Sequence, residues 1–106
     1  MKEHLTKVCC RPGAAPQEAD DFLEHAQRFK ALSEPARVAI VNRLASCGEA
    51  CVCELVEVLE LAQPTVSHHL RVLREAGLIE HERRGTSMYY RLVTEAIDEL
   101  RATLAP

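Results

Sequence analysis

Residues 62–92, AQPTVSHHLRVLREAGLIEHERRGTSMYYRL, change their hydrophobic period midway, and that change decides the fold. Val66, Leu70 and Leu73 step by three or four residues, the spacing of one buried helix face. Gly77 stands where such a helix closes on a left-handed residue. Beyond it Leu78, Met88, Tyr90 and Leu92 alternate with polar neighbours on either side of Arg83-Arg84-Gly85-Thr86, the pattern of a β-hairpin with an arginine-bearing tip. Upstream, a short amphipathic segment begins near Cys51, turns Leu55, Val58 and Leu59 inward, and ends around Glu60. The turn Leu61-Ala62-Gln63-Pro64 joins it to the next helix, so the pair forms a helix-turn-helix with the hairpin as its wing.

The positions of the second helix that lie off its apolar stripe are Gln63, Thr65, Ser67, His68, Arg71 and Arg74. These side chains donate to or accept from base edges and phosphates, and with Arg83 and Arg84 on the wing they are the candidate contacts to double-stranded DNA. Adjacent histidines on a helix point about 100° apart. His68 therefore goes to the DNA face, and His69, beside Val66 and Leu70, to a structural position at the core edge. Charge agrees with this reading. Residues 63–91 hold five arginines against three glutamates, a net +2, which leaves −5 for the remainder of a chain whose total is −3.

The flanking sequence completes one domain. Glu18 to Leu32, with Phe22, Leu23, Ala26 and Phe29, reads as an amphipathic helix whose acidic first turn suits the helix dipole. Ser33-Glu34-Pro35 starts another, with Ser33 as cap, carrying Val38, Val41 and Leu44 and stopping near Gly48. Thr94 is placed to cap a last helix through Ile97, Leu100 and Leu104. The predicted fold class is thus mainly α with a small β-hairpin: a winged helix-turn-helix over residues 18–106. Residues 1–17 read as a flexible arm because of the breaker cluster Arg11-Pro-Gly-Ala-Ala-Pro16. With 106 residues, 4 % aromatics and no Trp, the core must come from Leu, Val, Ala and Ile. No apolar run approaches the roughly eighteen residues of a membrane span, and the first ten residues lack the apolar centre of a secretory signal, so a cytoplasmic protein is expected. No nucleophile loop or cofactor motif is visible, which argues against an enzyme.

Five cysteines remain to be placed, and an odd number in a reducing compartment points to free thiols. Cys9 and Cys10 ride on the arm, with Lys7 and Arg11 beside them to favour the thiolate. Cys47, Cys51 and Cys53 fall within seven positions, in SCGEACVCEL at 46–55. If Cys51 were helical, Cys51 and Cys53 would lie about 200° apart, and they could share an ion only if that turn were extended. Gly48 breaks any helix linking Cys47 to Cys51. A thiolate-only ligand set selects soft ions. Zinc prefers four ligands in a tetrahedron, whereas trivalent arsenic and antimony accept three sulfurs in a pyramid.

The motifs FKALSEPARVAIVNRL, CVCEL and AQPTVSHHLRVLREAGLIEHERRGTSMYYRL together resemble the ArsR (ArsR/SmtB) family of winged-helix, metal-responsive repressors, over about Phe22 to Leu104. The resemblance implies a homodimer, joined through the first and last helices, that binds a palindromic operator and releases it when an inducer binds. The implied inducer is As(III) or Sb(III), with cadmium, lead or thiol oxidation as the alternative trigger. Among arsenical sensors one arrangement takes an N-terminal Cys-Cys pair with a third sulfur from the other subunit. Here that set is Cys9, Cys10 and the partner's Cys47. Another takes a CVC pair and a third Cys three residues on. Cys51 and Cys53 match it but Val56 fills the third place, which leaves them as alternative or auxiliary ligands. The last helix has no His, so the family's zinc site is absent, and Ala62 replaces a common capping Ser.

Overall fold

The computed structural model describes the backbone of residues 19–106 and the side chains from Asp21 onward. The expected arm, with Cys9 and Cys10, lies outside the described residues. The element order is α1 (Ala19–Ala31), α2 (Pro35–Cys47), β1 (Ala50–Cys51), α3 (Val52–Leu59), α4 (Gln63–Glu75), β2 (Ile79–Arg84), β3 (Ser87–Leu92) and α5 (Thr94–Leu104). This is the mainly α, winged helix-turn-helix class that the periodicity predicts. The strands form one antiparallel sheet in the order β1-β3-β2.

The core sits where α2, α3 and α4 meet the foot of the wing. Val66, Leu70 and Leu73 are completely buried, together with Ile40, Leu55 and Leu78. Each such side chain contributes about 1.5–3 kcal/mol through the apolar surface it removes from water. The stripe on α4 therefore fixes which of its faces is left for a ligand. Its far end is closed by a Schellman motif. Ala76 is the cap residue, Gly77 follows at φ 80°, Gly77 N–H donates to Arg74 O at 3.0 Å, and Leu78 N–H donates to Leu73 O at 3.0 Å. A side chain other than hydrogen at Gly77 would be strained at that φ and would also press on the Arg28 guanidinium at 3.3 Å.

Several local expectations are corrected. Ser33 does not cap α2: its hydroxyl donates back to Lys30 O at 2.6 Å and closes α1, while Glu34 holds the cap position and Pro35 begins the helix. Thr94 is the first helical residue of α5, after Val93, and makes no side-chain cap bond. On α2 the buried pair is Ile40 and Leu44, and Val38, two residues or about 200° from Ile40, is half exposed. On α3 the inward stripe is Val52, Leu55, Val56 and Leu59, so Val58 falls off it. Ala62 does cap α4 without a side-chain bond, a loss of about 1 kcal/mol against Ser.

β1 has no signal in the sequence. Only two residues long, it pairs Ala50 with Tyr90 and Cys51 with Tyr89. Its consequence is that the cysteine-bearing segment is zipped onto the wing.

Candidate DNA interface and thiol site

The recognition helix α4 is positioned by two arginines from other elements. On α1, Arg28 donates through Nε to Ala76 O at 3.1 Å and pairs through Nη1 with Glu99 of α5 at 2.9 Å. This places a positive charge at the carbonyl end of α4, where the helix dipole favours it. On α2, Arg37 donates to Ala31 O at 2.7 Å and its Nη1 lies 3.2 Å from His69 Nδ1. His69 is thus the structural histidine. Burial, then the Arg37 charge, push its pKa below the usual value, which favours a neutral ring whose Nδ1 accepts a hydrogen bond from the arginine.

With Val66, Leu70 and Leu73 inward, the residues Gln63, Thr65, Ser67, His68, Arg71 and Arg74 are all exposed. Four of them, Ser67, His68, Arg71 and Arg74, line one groove with Pro64 and Tyr90 at the foot of the wing. Arg71 and Arg74 form no ion pair among the described residues, so both guanidiniums are free to meet phosphates. Gln63 is set apart. It lines a different cavity, with Cys51, Val52, Cys53 and the wing residues Thr86, Ser87 and Met88.

The wing departs from a simple basic tip. Gly85 and Thr86 make its two-residue turn, with Gly85 at φ 63°. Because neighbouring residues of a strand point to opposite faces, Arg83 and Arg84 separate. Arg83 is exposed and forms no ion pair among the described residues. Arg84 is held by a two-pronged bond to Glu49 at 2.6 and 2.9 Å, a further bond to Glu82 at 3.0 Å, and a stack over Tyr89 with Cζ 4.7 Å from the ring centre. Arg91 is likewise paired, with Glu80 at 2.9 Å and Glu82 at 3.2 Å. Of the five arginines counted in the sequence, two are therefore neutralised within the sheet.

The thiols are arranged differently from a helical expectation. Cys51 is extended, at φ −90° and ψ 166°, and stands at the cap of α3 in a capping box. Its N–H donates to Glu54 Oε1 at 2.9 Å and its sulfur accepts from the Glu54 backbone. That extension leaves the Cys51 and Cys53 side chains lining one cavity beside the wing. The neighbouring Cys53 side chain, with burial second, pushes the Cys51 pKa up, which favours the protonated thiol. Cys51 is buried, Cys53 is exposed, and Cys47 is the exposed last residue of α2. Among the described residues no three His, Cys, Asp or Glu side chains are grouped closely enough to hold a metal ion. Within the described residues Cys51 and Cys53 share a cavity with no third such side chain grouped with them.

Comparison with known proteins agrees with this architecture. Residues 34–81 match the family described as bacterial regulatory protein, arsR family. The arsenical resistance operon repressor of Bacillus subtilis is 40 % identical over 77 residues, which is 73 % of each chain. A homolog of the cadmium resistance transcriptional regulatory protein CadC from Staphylococcus aureus is 38 % identical over 78 residues, 74 % of this chain and 64 % of its own. Among solved structures, the homodimeric winged helix-turn-helix DNA-binding domain of a possible ArsR-family regulator from Mycobacterium bovis superposes with a TM-score of 0.71 at 31 % identity, covering 89 % of this chain and 86 % of that one. The buried stripe that aims α4 outward, the hairpin beside it and these likenesses carry one conclusion: the chain belongs to the arsR family of bacterial transcriptional regulators.

Proposed function

We propose that the chain is an arsenite- and antimonite-responsive repressor, which binds operator DNA as a homodimer and leaves it when As(III) or Sb(III) binds cysteine thiolates. The observation that carries this is the placement of a thiol pair, Cys51 and Cys53, in one cavity with the first residue of α4 and the tip of the wing. With Cys51 and Cys53 as alternative or auxiliary ligands, an ion held there lies against both DNA-reading elements at once. The α4 face and Arg83 supply the contacts to the duplex, with Gln63, Thr65, Ser67 and His68 toward bases and Arg71 and Arg74 toward phosphates. Arg84 contributes through its ion pairs. The dimer forms through α1 and α5, and in it two α4 helices address half-sites about 34–36 Å apart.

The first ligand set is Cys9 and Cys10 of one chain with Cys47 of the other, for which the exposure of Cys47 at the end of α2 is the supporting feature. Arsenous acid then exchanges three As–O bonds for three As–S bonds, each thiol proton leaving in a water molecule. The cavity that Cys51 and Cys53 share favours a second reading, in which these two are primary ligands and a third sulfur joins them. A cadmium-resistance relative keeps cadmium as the alternative inducer. Titration of operator DNA with and without arsenite, antimonite or cadmium separates these readings. In the first, Cys9→Ser, Cys10→Ser or Cys47→Ser keeps operator binding and loses release by arsenite. In the second, Cys51→Ser or Cys53→Ser does so and Cys47→Ser responds normally. Operator binding that no thiophilic ion alters would refute both.

A further inference from the structure

Glu49 stands midway between Cys47 and Cys51, and its carboxylate grips the wing through the two-pronged bond to Arg84. We infer that Glu49 and Arg84 are positioning residues that transmit thiol ligation to the wing. The inference rests on the reading of the chain as a thiol-triggered repressor and names the link that reading lacks.

The geometry supports a mechanical link of this kind. Glu49 is two residues from each thiol, so ligation at either cysteine acts on it through a very short lever. On the Cys47 side lies Gly48, which ends α2 at φ 88°, a backbone conformation that glycine adopts without strain, with open space where a Cβ would stand. On the Cys51 side the backbone is already extended and bound to the wing by only two ladder pairs, Ala50 with Tyr90 and Cys51 with Tyr89. Arg84 extends the contact inward. The same guanidinium that holds Glu49 also holds Glu82 and stacks on Tyr89, and Glu82 in turn holds Arg91. Displacing Glu49 therefore removes one anchor from a connected network on β2 and β3 and leaves the segment before α3 joined to β3 by two ladder pairs. The outcome does not depend on which thiol set is primary. Whether the ion draws Cys47 toward the partner's arm or gathers Cys51 and Cys53, the segment between them moves.

In this mechanism the loaded and unloaded states differ in the latch, so breaking the latch by mutation and loading the thiols act on the same equilibrium. The test measures operator affinity with and without saturating arsenite, and bound arsenic per chain, for the wild type, Glu49→Gln and Glu57→Gln. Glu57 is an exposed carboxylate on α3 outside the network, so its variant carries the same change of charge. Glu49→Gln is expected to lower apo affinity a few-fold and to shrink the arsenite-induced drop at least fivefold at unchanged arsenic stoichiometry. Glu57→Gln is expected to behave as the wild type. Equal arsenite-induced drops in wild type and Glu49→Gln would overturn the latch, because a residue that only stabilised the fold would scale both states alike. A response of Glu57→Gln matching that of Glu49→Gln would overturn it as a plain charge effect. Wild-type protein that binds arsenite and stays on the operator would instead sink the thiol-triggered reading, and the latch with it.

Discussion

Two arginines adjacent in sequence end in different chemistry because a strand sends neighbours to opposite faces. Arg83 is exposed without an ion pair among the described residues, while Arg84 is bound to Glu49 and Glu82. An arginine contributes to counterion release from DNA only if its charge is available to a phosphate. Replacing Arg71 or Arg74 by Ala should thus weaken operator binding for all sequences alike and reduce the slope of log K against log salt by about 1. Arg84→Ala should leave that slope nearly unchanged, since its charge is already balanced. Fluorescence anisotropy titrations over a series of salt concentrations check both. The cysteines teach the same lesson. Their spacing of two positions separates them on a helix and brings both to one cavity at an extended cap, and Cys51 takes the second geometry because its backbone pairs with Tyr89.

At the scale of elements, the aim of α4 is set by its neighbours as much as by its own stripe. Arg28 and Arg37 reach it from α1 and α2, and the second does so through a neutral His69. Groups facing His69 are Arg37 from α2, His68 from α4 itself and Glu34 from the turn before α2; the first two oppose its protonation and the last favours it. Because the folded pKa lies below the ordinary value of 6.5, the unfolded chain binds more protons than the folded one between these two values. Stability is accordingly full above that window and falls as pH drops through it. We expect the melting temperature to fall between about pH 7.5 and about pH 5.5, and to fall less in His69→Gln, which keeps an acceptor for Arg37 but cannot titrate. Thermal denaturation of both proteins at the two pH values measures the difference.

In the whole molecule, apolar residues at the first and last helices are among those the single chain leaves exposed. Phe22 is 49 % exposed, Leu23 61 % and, on α5, Leu104 70 %. A second copy laid against α1 and α5 would bury them, in keeping with the proposed dimer. Phe22→Glu should then yield monomers by sedimentation and lower operator affinity about a hundredfold or more, since two half-sites are no longer bound by one particle. The α4 stripe, the hairpin period and the turn at Ala62 are local features, and short-range periodicity is enough to read them, along with the row of polar side chains that the stripe leaves outward. Ser33 and Thr94 defeat the same method, because a hydroxyl beside a helix start can bond backward or not at all, and only the neighbouring backbone decides. β1 is two residues long and exists because β3 lies beside it. From that one non-local pairing follow the place of Cys51 and Cys53 in a cavity beside the wing and the grip of Glu49 on Arg84. Helix and hairpin arise from interactions within a few residues, whereas the thiol site and its link to the wing arise from groups that meet only after the hairpin has folded back on the segment before α3.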